Sequence, residues 1–238
     1  MTKQSILLSS IDTQIMEIGA EKTPVIIIDN LLGDLDSLLA LARQQHFQFD
    51  SNWAYPGVRC SLPDTYVVPV LQELVPLIRQ TFDVAADRPY ETIHSVFSLL
   101  AQPPETLSLL QRIPHYDTTK SFYFATVHYL SPGEFGGTGF FRHRPTGFER
   151  ISAKRYPDFV AAAKQHMRAH GEPPRRYINA STDHFELIGE IEYRPNRIAI
   201  YPGNILHSGL VQPERDLSMD PAGGRLTANL FLDFDADS

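Results

Sequence analysis

The chain has 238 residues, 42% hydrophobic and 21% charged, a balance typical of globular proteins that excludes wholesale disorder. Acidic residues outnumber basic ones by 28 to 21, for a formal charge of -7. A surface of that sign repels phosphate backbones, so no nucleic-acid partner is expected.

The opening MTKQSILLSS combines one early lysine with a short apolar patch and reads as a poor signal peptide. No apolar run approaches the ~18 residues needed to cross a bilayer, so the expected location is the cytoplasm, away from membranes. Pro24 to Asp29 is a β-branched run and reads as a buried strand. Asp34 then caps a helix over Leu35 to Gln45, where Leu35, Leu38, Leu39 and Ala42 recur at helical spacing. The lone cysteine, Cys60, leaves neither an internal disulfide nor a cysteine-rich zinc site. A second helical region runs from about Thr65 to Phe82, with Pro69 and Pro76 expected to interrupt it.

From residue 93 the texture changes to strands. The candidates are Ile93–Leu100, Leu107–Asp117, Phe122–Leu130, Thr138–Arg142, Phe185–Tyr193, Arg197–Tyr201, Leu206–Val211 and Leu226–Phe234. Arg194-Pro195-Asn196 reads as a turn between two of them. A helix over Tyr156–His170 lies inside an insertion at about residues 143–184, which reads equally as a lid or as a surface elaboration. Closely spaced strands with turn signals between them predict a sandwich or jelly roll. The expected class is α+β, mainly β, with N-terminal helices packed on one sheet. No linker divides the chain, so one domain is expected over 1–238: a mixed α/β layer over 1–92 and a β core over 93–238.

His115-Tyr116-Asp117 sets an imidazole and a carboxylate two residues apart. On a strand those positions share a face, so both can reach one ion. Chance alone gives about one His-x-Asp/Glu match in such a composition, and the chain holds three: His115/Asp117, His170/Glu172 and His184/Glu186. His170/Glu172 sits at a predicted helix end, where the two side chains diverge and His170 complements the C-terminus. His184/Glu186 opens a strand and reads as a solvated face or as a ligand pair. His115/Asp117 ends an apolar run after Pro114, at a rim where ligands reach a cavity. The Pro202-Gly203 turn leads to His207, either a core histidine or a third ligand. Two histidines and a carboxylate form the facial triad of non-haem Fe(II), with coordination positions left open. Arg225, at the start of a strongly apolar strand, reads as a partner for a carboxylate or as an exposed strand start. Thr227 would face the same way.

In this order the residues resemble the Fe(II)/2-oxoglutarate-dependent oxygenases, particularly the prolyl-4-hydroxylase-like branch. Pro114-His115-Tyr116-Asp117 is similar to the family's His-x-Asp, and Tyr129-Leu130 with Gly136-Gly137-Thr138-Gly139-Phe140 to the segment that follows it. Arg197 to His207 is similar to the strand and turn that deliver the distal histidine. Arg225-x-Thr227 is similar to the Arg-x-Ser/Thr pattern for the co-substrate tail. The agreement spans about residues 107–234. It implies a double-stranded β-helix of jelly-roll or cupin-like form. It also implies Fe(II) on His115, Asp117 and His207, with 2-oxoglutarate and O2 as co-substrates. Arg225 would bind the oxoglutarate tail, aided by Thr227 and Tyr129. The implied activity is hydroxylation with release of succinate and CO2. It favours His115/Asp117 among the three pairs, because His184 and His207 leave room for about two strands between them.

Arg215, flanked by acids, is a rival to Arg225. Arg142 and Arg59 are candidate substrate contacts, Arg59 in an aromatic and basic loop with Trp53 and Tyr55. The expected partner is a small-molecule or peptide substrate, and a homodimer is an admissible assembly. Two competing functions share much of this pattern: a cupin-type metal enzyme that does not use oxoglutarate, and a non-catalytic jelly-roll binding module.

Overall fold

A computed structural model describes residues 12–49 and 55–235. In chain order the elements are β1 (Asp12–Ile18), β2 (Thr23–Asp29), α1 (Leu35–Ala42), β3 (Gln48–Phe49), β4 (Gly57–Ser61), α2 (Asp64–Phe82) and β5 (Glu91–Leu100). They continue with β6 (Tyr123–Tyr129), β7 (Thr138–His143), α3 (Tyr156–His170), β8 (Phe185–Ile191), β9 (Arg197–Pro202), β10 (His207–Gly209), α4 (Pro213–Asp216) and β11 (Leu226–Asp233). Eight strands form one sheet in the order β1-β2-β9-β6-β11-β5-β4-β3, and three form a second, β10-β7-β8. Every pairing between these strands is antiparallel. The N-terminal strands are stitched into the large sheet by β2 on β9 and β4 on β5. Residues before 93 therefore share a sheet with those after it.

Strand alternation divides the large sheet into two faces. Ile198, Ile200, Leu226, Ala228, Leu230 and Leu232 bury against α1 and α2. Ala125, Val127, Tyr129, Ala199 and Tyr201 point the other way and meet Phe140 and Ile191 of the small sheet. The result is helices over a two-sheet sandwich, mainly β as expected. Among the described residues no helix is long and apolar enough to cross a membrane.

Asp34 caps α1 by accepting from the Ser37 backbone N–H at 3.0 Å. The α2 helix departs from expectation, because it runs unbroken through Pro69 and Pro76. Its inner face, including Tyr66, Val70, Leu74 and Ile78, is held in the core. The carbonyls that each proline leaves without a helical partner belong to Thr65 and Gln72, both exposed residues, where water replaces the lost bond.

The expected strand Leu107–Asp117 is also absent. One 3₁₀ turn, Pro104–Thr106, precedes it and a second, Leu109–Arg112, occupies its first half. Ser108 and Gln111 form a capping box that satisfies backbone groups locally, in competition with a ladder. Only His115 makes an antiparallel bridge, with His207.

The expected insertion leaves β7 and returns to β8 at one point: His143 and Phe185 are paired across it, and the Arg144 N–H bonds the His184 carbonyl at 3.0 Å.

Pro76 is exposed on α2, so Pro76→Ala should restore one helical hydrogen bond and stabilise the fold by about 1–2 kcal/mol. The check is the urea midpoint of the variant against wild type; an unchanged or lower midpoint contradicts the account.

Candidate metal centre

Main-chain hydrogen bonds bring the three ligand candidates together. The His115 N–H donates to the His207 carbonyl at 2.9 Å, and the His207 N–H donates back to His115 at 2.8 Å. Two residues on, the Asp117 N–H donates to the Gly203 carbonyl at 2.7 Å. The turn after β9 thus holds Asp117 while β10 holds His115. One ligand atom from each of His115, Asp117 and His207 lies within 4.8 Å of the others. His115 Nε2 is 3.8 Å from Asp117 Oδ1, and His207 Nε2 is 3.9 Å from Asp117 Oδ2.

His207 Nδ1 lies 2.9 Å from the Ile205 carbonyl. A carbonyl only accepts, so Nδ1 carries the proton and the Nε2 lone pair faces Asp117, as a metal ligand requires. The exposed atoms of His115 face a cavity rather than bulk water. Burial, then the neighbouring His207 and Arg59 charges, push its pKa well down. Burial also raises Asp117, against the pull of His207 and Arg59. Two imidazoles and a carboxylate form a donor set suited to a divalent ion.

The triad opens into a cavity of about 710 Å³, and Arg225 and Thr227 open into the same cavity. Arg225 Nε donates to the Gly136 carbonyl at 2.6 Å and Nη2 to Gly137 at 3.3 Å. Its Nη1 is left uncommitted among the described residues. A Cβ at Gly136 would stand 1.9 Å from the Leu210 carbonyl, which is why that turn requires glycine. The buried Asp216 carboxylate accepts from the Gly136 N–H at 3.1 Å and the Gln212 N–H at 2.9 Å, so it fixes the turn that fixes Arg225. Arg225 also lies over Tyr129 and Tyr193, at 5.5 and 5.8 Å from the ring centroids.

Other expected site residues fall in different places. Tyr129 is fully buried beneath Arg225, its hydroxyl 2.7 Å from Thr138 Oγ1, and does not itself line the cavity. Arg142 is also off the cavity; it pairs with the buried Glu149 at 2.6 Å and with Glu186 at 3.0 Å. Arg215 lies on exposed α4, 3.8 Å from Glu134, away from the cavity. Arg59 does line the cavity, held over the Tyr55 ring at 4.2 Å; Trp53 lies outside the described residues. His128 is on the helix side of the sheet, bonded to Tyr66 at 2.9 Å and Asn196 at 3.1 Å.

The histidine of His184/Glu186 is not a solvated one. It is buried, stacked on His166 at 4.0 Å and 2.9 Å from His143 through the two Nε2 atoms. His166 stacks in turn on His170, whose Nδ1 bonds the His166 carbonyl at the helix end, 3.0 Å away.

Sequence reasoning missed Asp216, whose role depends on long-range packing. It also missed the cavity face of α3, where Tyr156, Phe159, Val160, Ala163 and Met167 follow helical spacing. That stripe was readable, but nothing local said which surface it would cover.

The chain belongs to a family of unknown function, DUF6445, whose model matches residues 9–232. Among solved structures it is similar to HygX from Streptomyces hygroscopicus with nickel, 2-oxoglutarate and hygromycin B bound. That likeness has 13% identity over 89% of this chain and 83% of the other, with a TM-score of 0.48. A non-heme alpha-ketoglutarate-dependent epimerase of nogalamycin biosynthesis, SnoN, is similar at 12% identity over 90% and 78%, TM-score 0.48. An N-substituted L-amino acid dioxygenase from Burkholderia ambifaria follows at 11% identity over 93% and 94%, TM-score 0.41. No curated protein sequence matches the chain.

A Cβ at Gly203 would meet Tyr123 Cδ1 at 2.6 Å and Asp117 Oδ2 at 3.2 Å. Gly203→Ala should therefore displace the carboxylate and weaken Ni(II) or Co(II) binding at least tenfold with every ligand still present; calorimetric titration reads this, and unchanged affinity refutes it.

The histidine stack makes a separate prediction. Burial and the neighbouring His166 depress His143 from 6.5 to about 4, and His184 from 6.5 to about 3. The unfolded chain then binds more protons below pH 6.5, so stability is full above that value and falls as the pH drops toward 4. A loss on the order of 2–3 kcal/mol is expected, seen as a lower Tm at pH 5 than at pH 7. His184→Gln should show a smaller drop; an equal one removes His184 as its source.

Proposed function

We propose that this protein is an Fe(II)- and 2-oxoglutarate-dependent oxygenase that hydroxylates a C–H bond and releases succinate and CO2. The observation that carries the reading is the convergence of His115, Asp117 and His207 within 4.8 Å, at a cavity into which Arg225 also opens. The two-sheet sandwich supports the double-stranded β-helix expected from the motif order. The branch within that superfamily and the cytoplasmic location remain readings from the sequence.

The site's chemistry fits both groups. His115, Asp117 and His207 would hold Fe(II) from one side and leave the cavity side open. Tyr55 Oη is buried without a hydrogen-bond partner among the described residues, and it lies in range of both Arg225 and Arg59. An orphaned hydroxyl beside two guanidinium groups suits an anionic ligand that accepts from all three. When bound, iron and oxoglutarate supply the oxidising power, with O2 as the oxidant.

The chain's residues do the rest by position. Arg225, locked by the Gly136 and Gly137 carbonyls, offers Nη1 to the oxoglutarate tail. Thr227 Oγ1 accepts from Asn229 at 3.0 Å, leaving its own O–H to donate into the cavity. Tyr129 serves by supporting Arg225 rather than by touching the ligand. The apolar face of α3 keeps water from the reacting carbon. A cupin-type enzyme without oxoglutarate would need the triad but not the locked Arg225.

Anaerobic addition of Fe(II) and 2-oxoglutarate should give the weak visible charge-transfer band of a chelated keto acid. Asp117→Ala should abolish it, and Arg225→Ala should raise the oxoglutarate concentration for half-saturation at least tenfold. A folded wild type with no band defeats the proposal; a band indifferent to Arg225→Ala defeats the Arg225 assignment.

A further inference from the structure

We infer that the molecule oxidised here is a small amphiphile, an apolar body bearing one carboxylate, with Lys164 as the anchor for that carboxylate. The inference rests on the oxygenase reading and adds the substrate class.

Charge is the first argument. The chain is acidic overall, with a formal charge of -7, yet its cavity inverts that sign. Among the cavity-lining residues the one acid is Asp117, against the cations Arg59, Lys164 and Arg225. Asp117 is committed to the triad, and the two positive charges of a divalent ion there would be offset by the two negative charges of oxoglutarate, so the excess of cations persists. A cationic substrate would be repelled from such a cavity, and an anionic one drawn in.

Shape and polarity are the second argument. The cavity face of α3 is apolar at Tyr156, Phe159, Val160, Ala163 and Met167, and Lys164 is the one charged group of that helix lining the cavity. Across from it, the 3₁₀ turn contributes Leu110, which is 63% exposed; Tyr156 is 45% exposed. Large apolar groups left this open at a cavity are suited to covering apolar ligand surface.

The three cations have different positions. Arg225 is tied to the Gly136–Gly137 turn, and Arg59 lies against Tyr55 with its charge felt at His115 and Asp117. Lys164 is exposed on α3 and is the cation carried on the apolar stripe itself.

The test uses the full chain saturated with Zn(II) and 2-oxoglutarate, titrated in parallel with octanoate, 1-octanol and octylamine in a calorimeter. Octanoate should bind at least tenfold more tightly than octylamine, and more tightly than 1-octanol. Lys164→Gln should weaken octanoate at least threefold and leave 1-octanol unchanged, and Lys164→Arg should restore octanoate. Octylamine or 1-octanol binding as well as octanoate overturns the substrate class, and octanoate indifferent to Lys164→Gln overturns the anchor. The Fe(II)–oxoglutarate band, recorded anaerobically on the same purified protein loaded with Fe(II) in place of Zn(II), separates the two levels. Its absence strikes the oxygenase reading, whereas its presence with no octanoate preference strikes the substrate class alone.

Discussion

The site depends on a reciprocal pair of main-chain hydrogen bonds, His115 to His207 and back. Neither segment is a long strand: His115 is bridged at one residue, and β10 has three. Two bonds of about 2.8–2.9 Å nonetheless set the positions of both imidazoles, because backbone geometry fixes where each Cβ points. The Gly203 carbonyl adds the third constraint by holding Asp117. The ligand atoms are therefore placed by amides and carbonyls, which lie outside the reach of most side-chain substitutions.

The same logic extends outward. Arg225 is oriented by two carbonyls, those carbonyls belong to a glycine turn, and the turn is fixed by the buried Asp216. A buried guanidinium is costly to desolvate unless its donors are met. Here Nε and Nη2 are met by the protein, and Nη1 remains for a ligand. The aromatic rings of Tyr129 and Tyr193 supply a face that tolerates the charge. The orientation of Arg225 thus comes from the shell behind it as much as from Arg225 itself.

Much of this was legible in the sequence, for identifiable reasons. The strands over 122–130, 185–193 and 226–234 announce themselves through β-branched and aromatic runs between turn residues. His207 was readable because Pro202-Gly203 marks the turn before it. The reasoning about His115 and Asp117 placed them on a strand, whereas the segment is irregular around one 3₁₀ turn, and the two side chains converge because Gly203 captures Asp117, not because a pleat aligns them. The α2 prolines misled because local propensity says nothing of a buried inner face that outweighs two lost bonds. Asp216 and the histidine stack were invisible, since each is made by residues far apart in sequence that meet only once the chain has folded back on itself. Arg142 looked available for the opposite reason: its partners Glu149 and Glu186 come from other elements.

The excursion that carries α3 departs from His143 and rejoins at Phe185, residues that already face each other across a hairpin. The excursion also ties itself to the turn before His207, where the Ile151 N–H donates to the Asn204 carbonyl and the Leu206 N–H to the Glu149 carbonyl, both at 2.8 Å. The three candidate ligands are locked into strand edges and turns, where a one-residue slip would separate them. A change at residues 149–151 would thereby reach the turn before His207 directly, so the excursion buttresses the candidate site as well as walling its cavity.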